Sequence, residues 1–147
     1  MAEIKRKAKA FWNGDLRSGE GRVSTHSGAL EEIRYSFSTR FENEPGTNPE
    51  ELIAAAHAAC FSMAFANTLS SKGYTPIRVE TKAVLSMERL EGGFTITKMR
   101  LETEGDVPGL DQATFVEIAE EAAAGCPVSR LLRPGLEIEL EARLLVQ

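Results

Sequence analysis

One segment constrains this chain more than any other. Residues 52–66 read Leu-Ile-Ala-Ala-Ala-His-Ala-Ala-Cys-Phe-Ser-Met-Ala-Phe-Ala, and only His57 and Ser62 interrupt the apolar run. The signals before it agree on a helix start. Asn48 is an N-cap residue, Pro49 suits the first helical position, and Glu51 stands three positions after the cap as in a capping box. Gly73 offers a left-handed C-terminal stop, so the helix is expected to run to about Ser71. A helix that is apolar on nearly every face belongs inside something. A chain of 147 residues has little material to wrap it on all sides. An oligomer whose interface covers the helix is therefore expected. The apolar stretch 52–65, broken by His57 and Ser62, is read as too short to span a bilayer.

The sequence around this helix alternates between β and α patterns. Residues 4–12, 21–25 and 35–41 read as short strands, with Asn13-Gly14-Asp15 a turn after the first and residues 27–32 a loop. Beyond the helix, Ile77, Val79, Ala83, Leu85 and Met87 face one way and Arg78, Glu80, Lys82 and Ser86 the other, as in a half-buried strand. After the turn at Glu91-Gly92-Gly93, Phe94 and Ile96 share one parity while Met99 and Leu101 take the opposite one, which predicts a β-bulge near Thr97-Lys98. Asp111 is placed to cap a second helix that Gly125 ends. Cys126-Pro127 opens a short third helix through Leu132, and residues 136–144 alternate as a last strand. The order predicts an α+β protein, read as a single domain over residues 1–147.

Composition narrows the function. A net charge of −5 argues against nucleic acid as a partner, because a phosphate backbone needs a basic patch. Lys5, Arg6, Lys7 and Lys9 form one dense basic cluster, near the N-terminus. The first residues lead into no apolar signal segment, so a cytoplasmic protein is expected, with no membrane partner. Thiols in that compartment are normally reduced. Two cysteines there point to chemistry more than to a structural disulfide.

Local chemistry alone leaves the roles of these thiols open. Cys60, deep in the apolar helix, reads equally as a small buried hydrophobe. Cys126, at the N-cap of the short helix, faces unpaired N–H groups that favour a thiolate. With 66 positions between them they form no CxxC motif, and His26 and His57 alone do not make a structural zinc site. No metal or cofactor is expected. His57 lies three residues before Cys60 on the same helix face, the spacing of a Cys–His pair, although a histidine directed at an interface or solvent fits as well. Arg40, read as the end of a strand, and Glu50 bracket the loop before the long helix. Each reads as surface charge or as a site residue.

These pieces resemble the OsmC/Ohr family. Thr47-Asn48-Pro49-Glu50-Glu51-Leu52-Ile53-Ala54-Ala55-Ala56-His57-Ala58-Ala59-Cys60-Phe61-Ser62-Met63-Ala64 is similar to its central-helix signature, and Gly125-Cys126-Pro127-Val128-Ser129 to its second-cysteine motif. Residues 11–21 and Ser38-Thr39-Arg40-Phe41-Glu42 resemble the OsmC branch more than the Ohr branch. The resemblance implies antiparallel sheets around a long buried central helix in an intertwined homodimer, with paired sites at the interface. It also implies a thiol-dependent peroxidase that favours organic hydroperoxides over hydrogen peroxide, is recycled by an external thiol or dithiol, and defends against oxidative and osmotic stress. By resemblance Cys60 is the peroxidatic cysteine, Cys126 the resolving one, Glu50 the active-site glutamate and Arg40 the activating arginine; should Arg40 not activate Cys60, Arg17 is the next cation to consider. Phe61, Met63 and Phe65 are expected either to wall a site for an alkyl peroxide or to serve the core. Two rivals stand beside this reading: a cysteine hydrolase using Cys60 and His57, and a non-catalytic stress-binding protein.

Overall fold

The computed structural model describes residues 2–145, and they form two compact units that divide after Leu52. The first unit carries a three-stranded antiparallel meander, β1 (Ala8–Asn13), β2 (Glu20–Thr25) and β3 (Ile33–Tyr35), in which Trp12 pairs with Gly21 and Gly21 with Tyr35. Gly21 is where a side chain cannot be carried. A Cβ there would sit 2.6 Å from the Phe11 carbonyl oxygen and 2.7 Å from the Tyr35 ring. The chain then departs from the expected strand over residues 35–41. It forms a short helix, α1 (Phe37–Phe41), whose N-cap Ser36 accepts from the Thr39 N–H while the Thr39 hydroxyl accepts from the Ser36 N–H. The alternation of Phe37, Thr39 and Phe41 imitates a strand, but the reciprocal cap satisfies the first-turn donors of a helix. Arg40 therefore sits in the last turn of a helix and not at a strand end.

The long helix α2 (Pro49–Ser71) is capped as its sequence requires, with the Asn48 side-chain oxygen accepting from the Glu51 N–H at 2.8 Å. It ends where Gly73 takes φ 92°, with the Tyr74 N–H returning to the Leu69 carbonyl at 3.0 Å. At 23 residues it outruns the 52–65 stretch and is long and apolar enough, by length and composition, to cross a bilayer. In this fold it buries one stripe: His57, Phe61, Phe65 and Leu69, four residues apart, are fully inaccessible. Ala55, Ala56, Ala59 and Met63 stay exposed, Met63 at 75%. Within one chain the helix is thus only partly buried.

That stripe meets the core of the second unit, where Phe65 lies 4.9 Å from Phe115 between ring centroids and Met99, Leu101, Val107 and Ile118 close around them. Burying a side chain of this size stabilises by about 1.5–3 kcal/mol. Phe61 and Phe65 are therefore core residues, and Met63 faces out; they do not form one apolar wall. The sheet that receives them is built from β4 (Arg78–Leu90), β5 (Gly93–Asp106) and β6 (Glu137–Leu144). The register of β4 against β5 slips between Ser86 and Met87, leaving Thr97 as the extra residue, which is the bulge the parity change requires. Ser62, the polar break in the apolar helix, hydrogen-bonds Thr81 at 2.8 Å, and Thr81 meets Thr103 at 3.0 Å, so a hydroxyl ladder satisfies it.

The strand pairings are antiparallel as expected except for one. β6 pairs parallel to β5, because α3 (Gln112–Gly125) and α4 (Pro127–Leu132) form a crossover that carries the chain back to the same end of the sheet. Asp111 caps α3 through the Thr114 N–H, and Cys126 is both the C-cap of α3 and the N-cap of α4. This crossover places Cys126.

Candidate functional site: a buried thiol pair and an arginine–glutamate corner

The second unit brings the two cysteines together. Cys60, in the fourth turn of α2, and Cys126, at the α3–α4 junction, are both free thiols with sulfurs 3.3 Å apart. That is about 1.2 Å longer than a disulfide bond, so a small rotation closes one. Cys126 is fully buried and Cys60 partly so. Their electrostatics differ. Burial pushes the Cys60 thiol up; the Val128 N–H draws it down and neighbouring Cys126 raises it further. Burial acts on Cys126 in the same direction, but the N–H and hydroxyl of Ser129, the Cys60 thiol and the Val128 N–H together outweigh it and bring Cys126 below the usual thiol value. No first-turn N–H reaches capping geometry on the Cys126 sulfur. The start of α4 acts instead as a patch of positive potential shared by both sulfurs.

His57 is not directed at solvent or an interface. It is fully buried, with Nε2 2.7 Å from the Ser129 hydroxyl. The pairing that a Cys–His hydrolase needs is replaced by a pairing with Ser129, while the Cys60 sulfur meets Cys126. The sequence carries no signal for this contact, since 72 positions separate the partners.

The first unit holds the other two expected site residues, and it joins them. Arg40 Nε and Nη2 donate to Glu50 Oε1 and Oε2 at 2.8 and 3.1 Å, a bidentate charge-assisted pair. Glu50 stands in the first turn of α2, where the helix dipole favours a carboxylate, and it is nearly buried. The guanidinium also lies 5.0 Å over the Phe41 ring, and Arg17 caps the neighbouring Phe37 ring at 4.6 Å. Phe37 and Phe41 are themselves stacked at 5.0 Å. Beside them a recess of about 460 Å³ is lined by Trp12, Leu16, Tyr35, Phe37, Arg40 and Phe41. These aromatic walls went unrecognised in the sequence because residues 35–41 read as a strand. As a helix, Phe37 and Phe41 are one turn apart and share a face. No group of three or more His, Cys, Asp or Glu side chains among the described residues could hold a metal.

Comparison with known proteins gives this arrangement a family. The family model for OsmC-like protein matches residues 41–141, which include Glu50, Cys60 and Cys126. The chain is 49% identical over 140 residues to the peroxiredoxin OsmC of Escherichia coli K12, covering 95% of this chain and 98% of that one. It is 27% identical over 124 residues to the organic hydroperoxide resistance protein OhrB of Bacillus subtilis, covering 84% and 89%. Among solved structures it is similar to an organic hydroperoxide resistance protein OsmC from Legionella pneumophila, with TM-score 0.79 and 25% identity over 99% of this chain and 100% of that one. The crystal structure of B. subtilis OhrB matches with TM-score 0.73 and 26% identity over 92% and 97%. With an α+β fold of two small sheets and a central helix, and with both cysteine motifs inside the matched region, the chain belongs to the OsmC family.

Proposed function

We propose a division of labour for this cysteine-based hydroperoxide peroxidase in which Cys60 attacks the peroxide, Cys126 resolves the product, and the Arg40–Glu50 pair activates the attack. The Cys60 thiolate attacks one peroxide oxygen. The O–O bond breaks, the alcohol leaves with a proton, and Cys60 becomes a sulfenic acid. Cys126 then attacks the sulfenic sulfur, the S–S bond forms, and water departs. An external thiol or dithiol returns both cysteines to the reduced state by exchange. The observation that carries this reading is the 3.3 Å approach of two free thiols from segments 66 residues apart. Organic hydroperoxides are the favoured substrates, in line with the names of the B. subtilis and L. pneumophila relatives and with the aromatic recess beside Arg40.

The working unit is a homodimer in the cytoplasm. Exposed Ala55, Ala56, Ala59 and Met63 on α2 support it, because an apolar helix face of this length needs a cover. An obligate interface of this kind buries more than about 2,000 Å². The cation that Cys60 lacks among its own influences comes from the partner subunit. Ten residues of one helix separate Glu50 from Cys60, about 15 Å along its axis, so an arginine held by Glu50 stays at the helix start.

The test is consumption of cumene hydroperoxide and of hydrogen peroxide with dithiothreitol as reductant. Faster turnover of cumene hydroperoxide is expected. Turnover of an ester or amide without any reductant would establish a hydrolase instead. Sedimentation at micromolar concentration should show a dimer, and a monomer would remove the shared site.

A further inference from the structure

The charged corner is held by more than its own ion pair. Arg40 and Glu50 lie on different helices, α1 and α2, joined by residues 42–48. Two flexible side chains keep a bidentate geometry only where their backbones are fixed, because each must give up rotamer freedom to hold it. Asn48 supplies the fixing. Its Oδ1 accepts from the Glu51 N–H at 2.8 Å, which caps α2, and its Nδ2 donates at 2.9 Å to the carbonyl of Thr39, the residue before Arg40. Its own carbonyl accepts from the Leu52 N–H at 3.2 Å. The partners settle which way the amide points. A backbone N–H can only donate and a carbonyl can only accept, so the reversed amide would set donor on donor and acceptor on acceptor.

The Thr39 end of this tether is equally specific. A helix as short as α1, ending at Phe41, leaves its last carbonyls without intrahelical donors, and such a group costs free energy when it is buried. Thr39 is buried. Its hydroxyl accepts from the Ser36 N–H at 2.9 Å, and its carbonyl goes to Asn48. The connecting loop presses on its methyl group, where a Cβ on Gly46 would come within 2.9 Å of Thr39 Cγ2. One residue further, Arg40 Nε and Nη2 meet both oxygens of Glu50, which stands two positions after Asn48. A single planar amide thus spans the two segments from which the pair is built. Among other residues that cap helices well, ionised aspartate has no donor, and serine and threonine must use one oxygen for both tasks. We propose that Asn48 is a positioning residue for the attack on peroxide: it holds α1 against the first turn of α2, so that Arg40 meets Glu50 in two places and is presented as a fixed charge. Its effect passes through Arg40. The inference rests on the reading that the Arg40–Glu50 pair activates Cys60.

The test is made in Cys126→Ser protein with one equivalent of cumene hydroperoxide, quenched at intervals, with the sulfenic acid at Cys60 counted by mass as its dimedone adduct. Asn48→Ser keeps a good cap, but its hydroxyl ends one bond short of the Nδ2 position. Losing one neutral hydrogen bond is expected to slow sulfenic acid formation by roughly two- to tenfold, less than Arg40→Ala does. The Cys60 titration, followed by thiolate absorbance, should move up in pH, as in Arg40→Ala. The readout that a merely structural role would not give is the double variant. With Arg40 already removed, Asn48→Ser should change the rate by less than about twofold, because the asparagine acts through the arginine. Equal slowing with and without Arg40, or no slowing in either, overturns the proposal. If Asn48→Ser does not fold, Asn48→Asp, which caps as well and cannot donate, carries the same comparison. Arg40→Ala alone separates the two levels. If it slows sulfenic acid formation while Asn48→Ser behaves as its parent, only the Asn48 role falls. If it leaves both rate and titration unchanged, the activating role of the pair falls and takes the Asn48 role with it.

Discussion

The arginine–glutamate corner of the first unit and the thiol pair of the second are built from opposite physics. The Arg40–Glu50 corner is made of full charges held by two short hydrogen bonds near the surface, with Arg40 about a third exposed. The thiol pair is made of polarisable sulfurs in a largely enclosed place, where Cys126, Ser129 and His57 are fully buried and Cys60 partly so. A charge pair can be assembled in advance, because each member stabilises the other whether or not substrate is present. A thiolate cannot be stored in an apolar core unless something offsets its desolvation. The protein supplies that offset for Cys126 within the second unit, from the start of α4. For Cys60 it does not, and burial leaves that thiol raised. Cys60, the proposed nucleophile, is thus the group that depends on help from elsewhere.

The sharpest way to break this contrast is to remove one thiol at a time. Cys60→Ser should abolish peroxide consumption, because a hydroxyl is not oxidised and recycled in this way; full activity in steady-state assays would end the mechanism. Next in size is the charged corner. Arg40→Ala should lower the rate of sulfenic acid formation by roughly ten- to a hundredfold, the worth of a hydrogen bond to a charged group. Arg40→Lys should recover only part of this, since an ammonium cannot hold Glu50 in two places. Absorbance of the thiolate near 240 nm in Cys126→Ser protein would follow the Cys60 titration directly. Identical titrations with and without Arg40 would transfer the role to another cation, with Arg17, already stacked on Phe37, the first to examine.

The sequence was most legible where local chemistry decides structure. The Asn48 cap, the Gly73 stop, the Asp111 cap and the bulge at Thr97 all follow from residues within a few positions of one another. The failures occur where two local signals compete or where distant segments meet. Phe37, Thr39 and Phe41 alternate like a strand, yet the Ser36–Thr39 cap prevails and turns Arg40 into a helical residue. The parallel entry of β6 depends on how α3 and α4 return the chain, which no short window records. The residues of the thiol centre were individually visible. Resemblance singled out Cys60 and Cys126, whereas the contact of His57 with Ser129 exists only because α4 packs on α2. For the same reason Phe61 and Phe65, plausible as walls of a substrate site, lie in the core.

The contrast between charged corner and dry core also predicts a pH effect on stability. Burial lowers the folded-state value of His57 below its ordinary value near 6.5. Between those two values the unfolded chain binds the proton and the folded chain does not, so unfolding takes up a proton and stability decreases as the pH is lowered. This contribution is complete above the unfolded value and is lost as pH drops through the window towards the lower folded value. Thermal unfolding followed from pH 7.5 down to pH 5 should show a steeper loss in wild type than in His57→Gln, which has nothing to titrate at that position. Parallel curves would mean that His57 is reached by water in solution and is not held neutral.

The smallest expected effect, a factor of two, decides whether corner and core meet across subunits. Glu50 and Cys60 are ten residues apart on α2, and ten residues turn a helix by about 1,000°, leaving their side chains about 80° apart in direction as well as about 15 Å apart in height. A glutamate on a helix also leans towards the N-terminus, away from Cys60. The Arg40–Glu50 pair, formed within one chain, therefore travels as a unit, and a partner's Cys60 is the simpler target. Mixed dimers test this. A Cys60→Ser chain paired with a Glu50→Ala chain contains one site in which an intact Cys60 faces an intact Glu50 across the interface, and one site in which both are missing. Assembly across subunits predicts about half of wild-type activity per dimer, although one parent variant is inactive and the other impaired. Assembly within a subunit predicts no gain, because the only chain with Cys60 then lacks its own Glu50. Activity measured on heterodimers purified by two different affinity tags distinguishes a restored half from none, and no gain would confine each corner to its own chain.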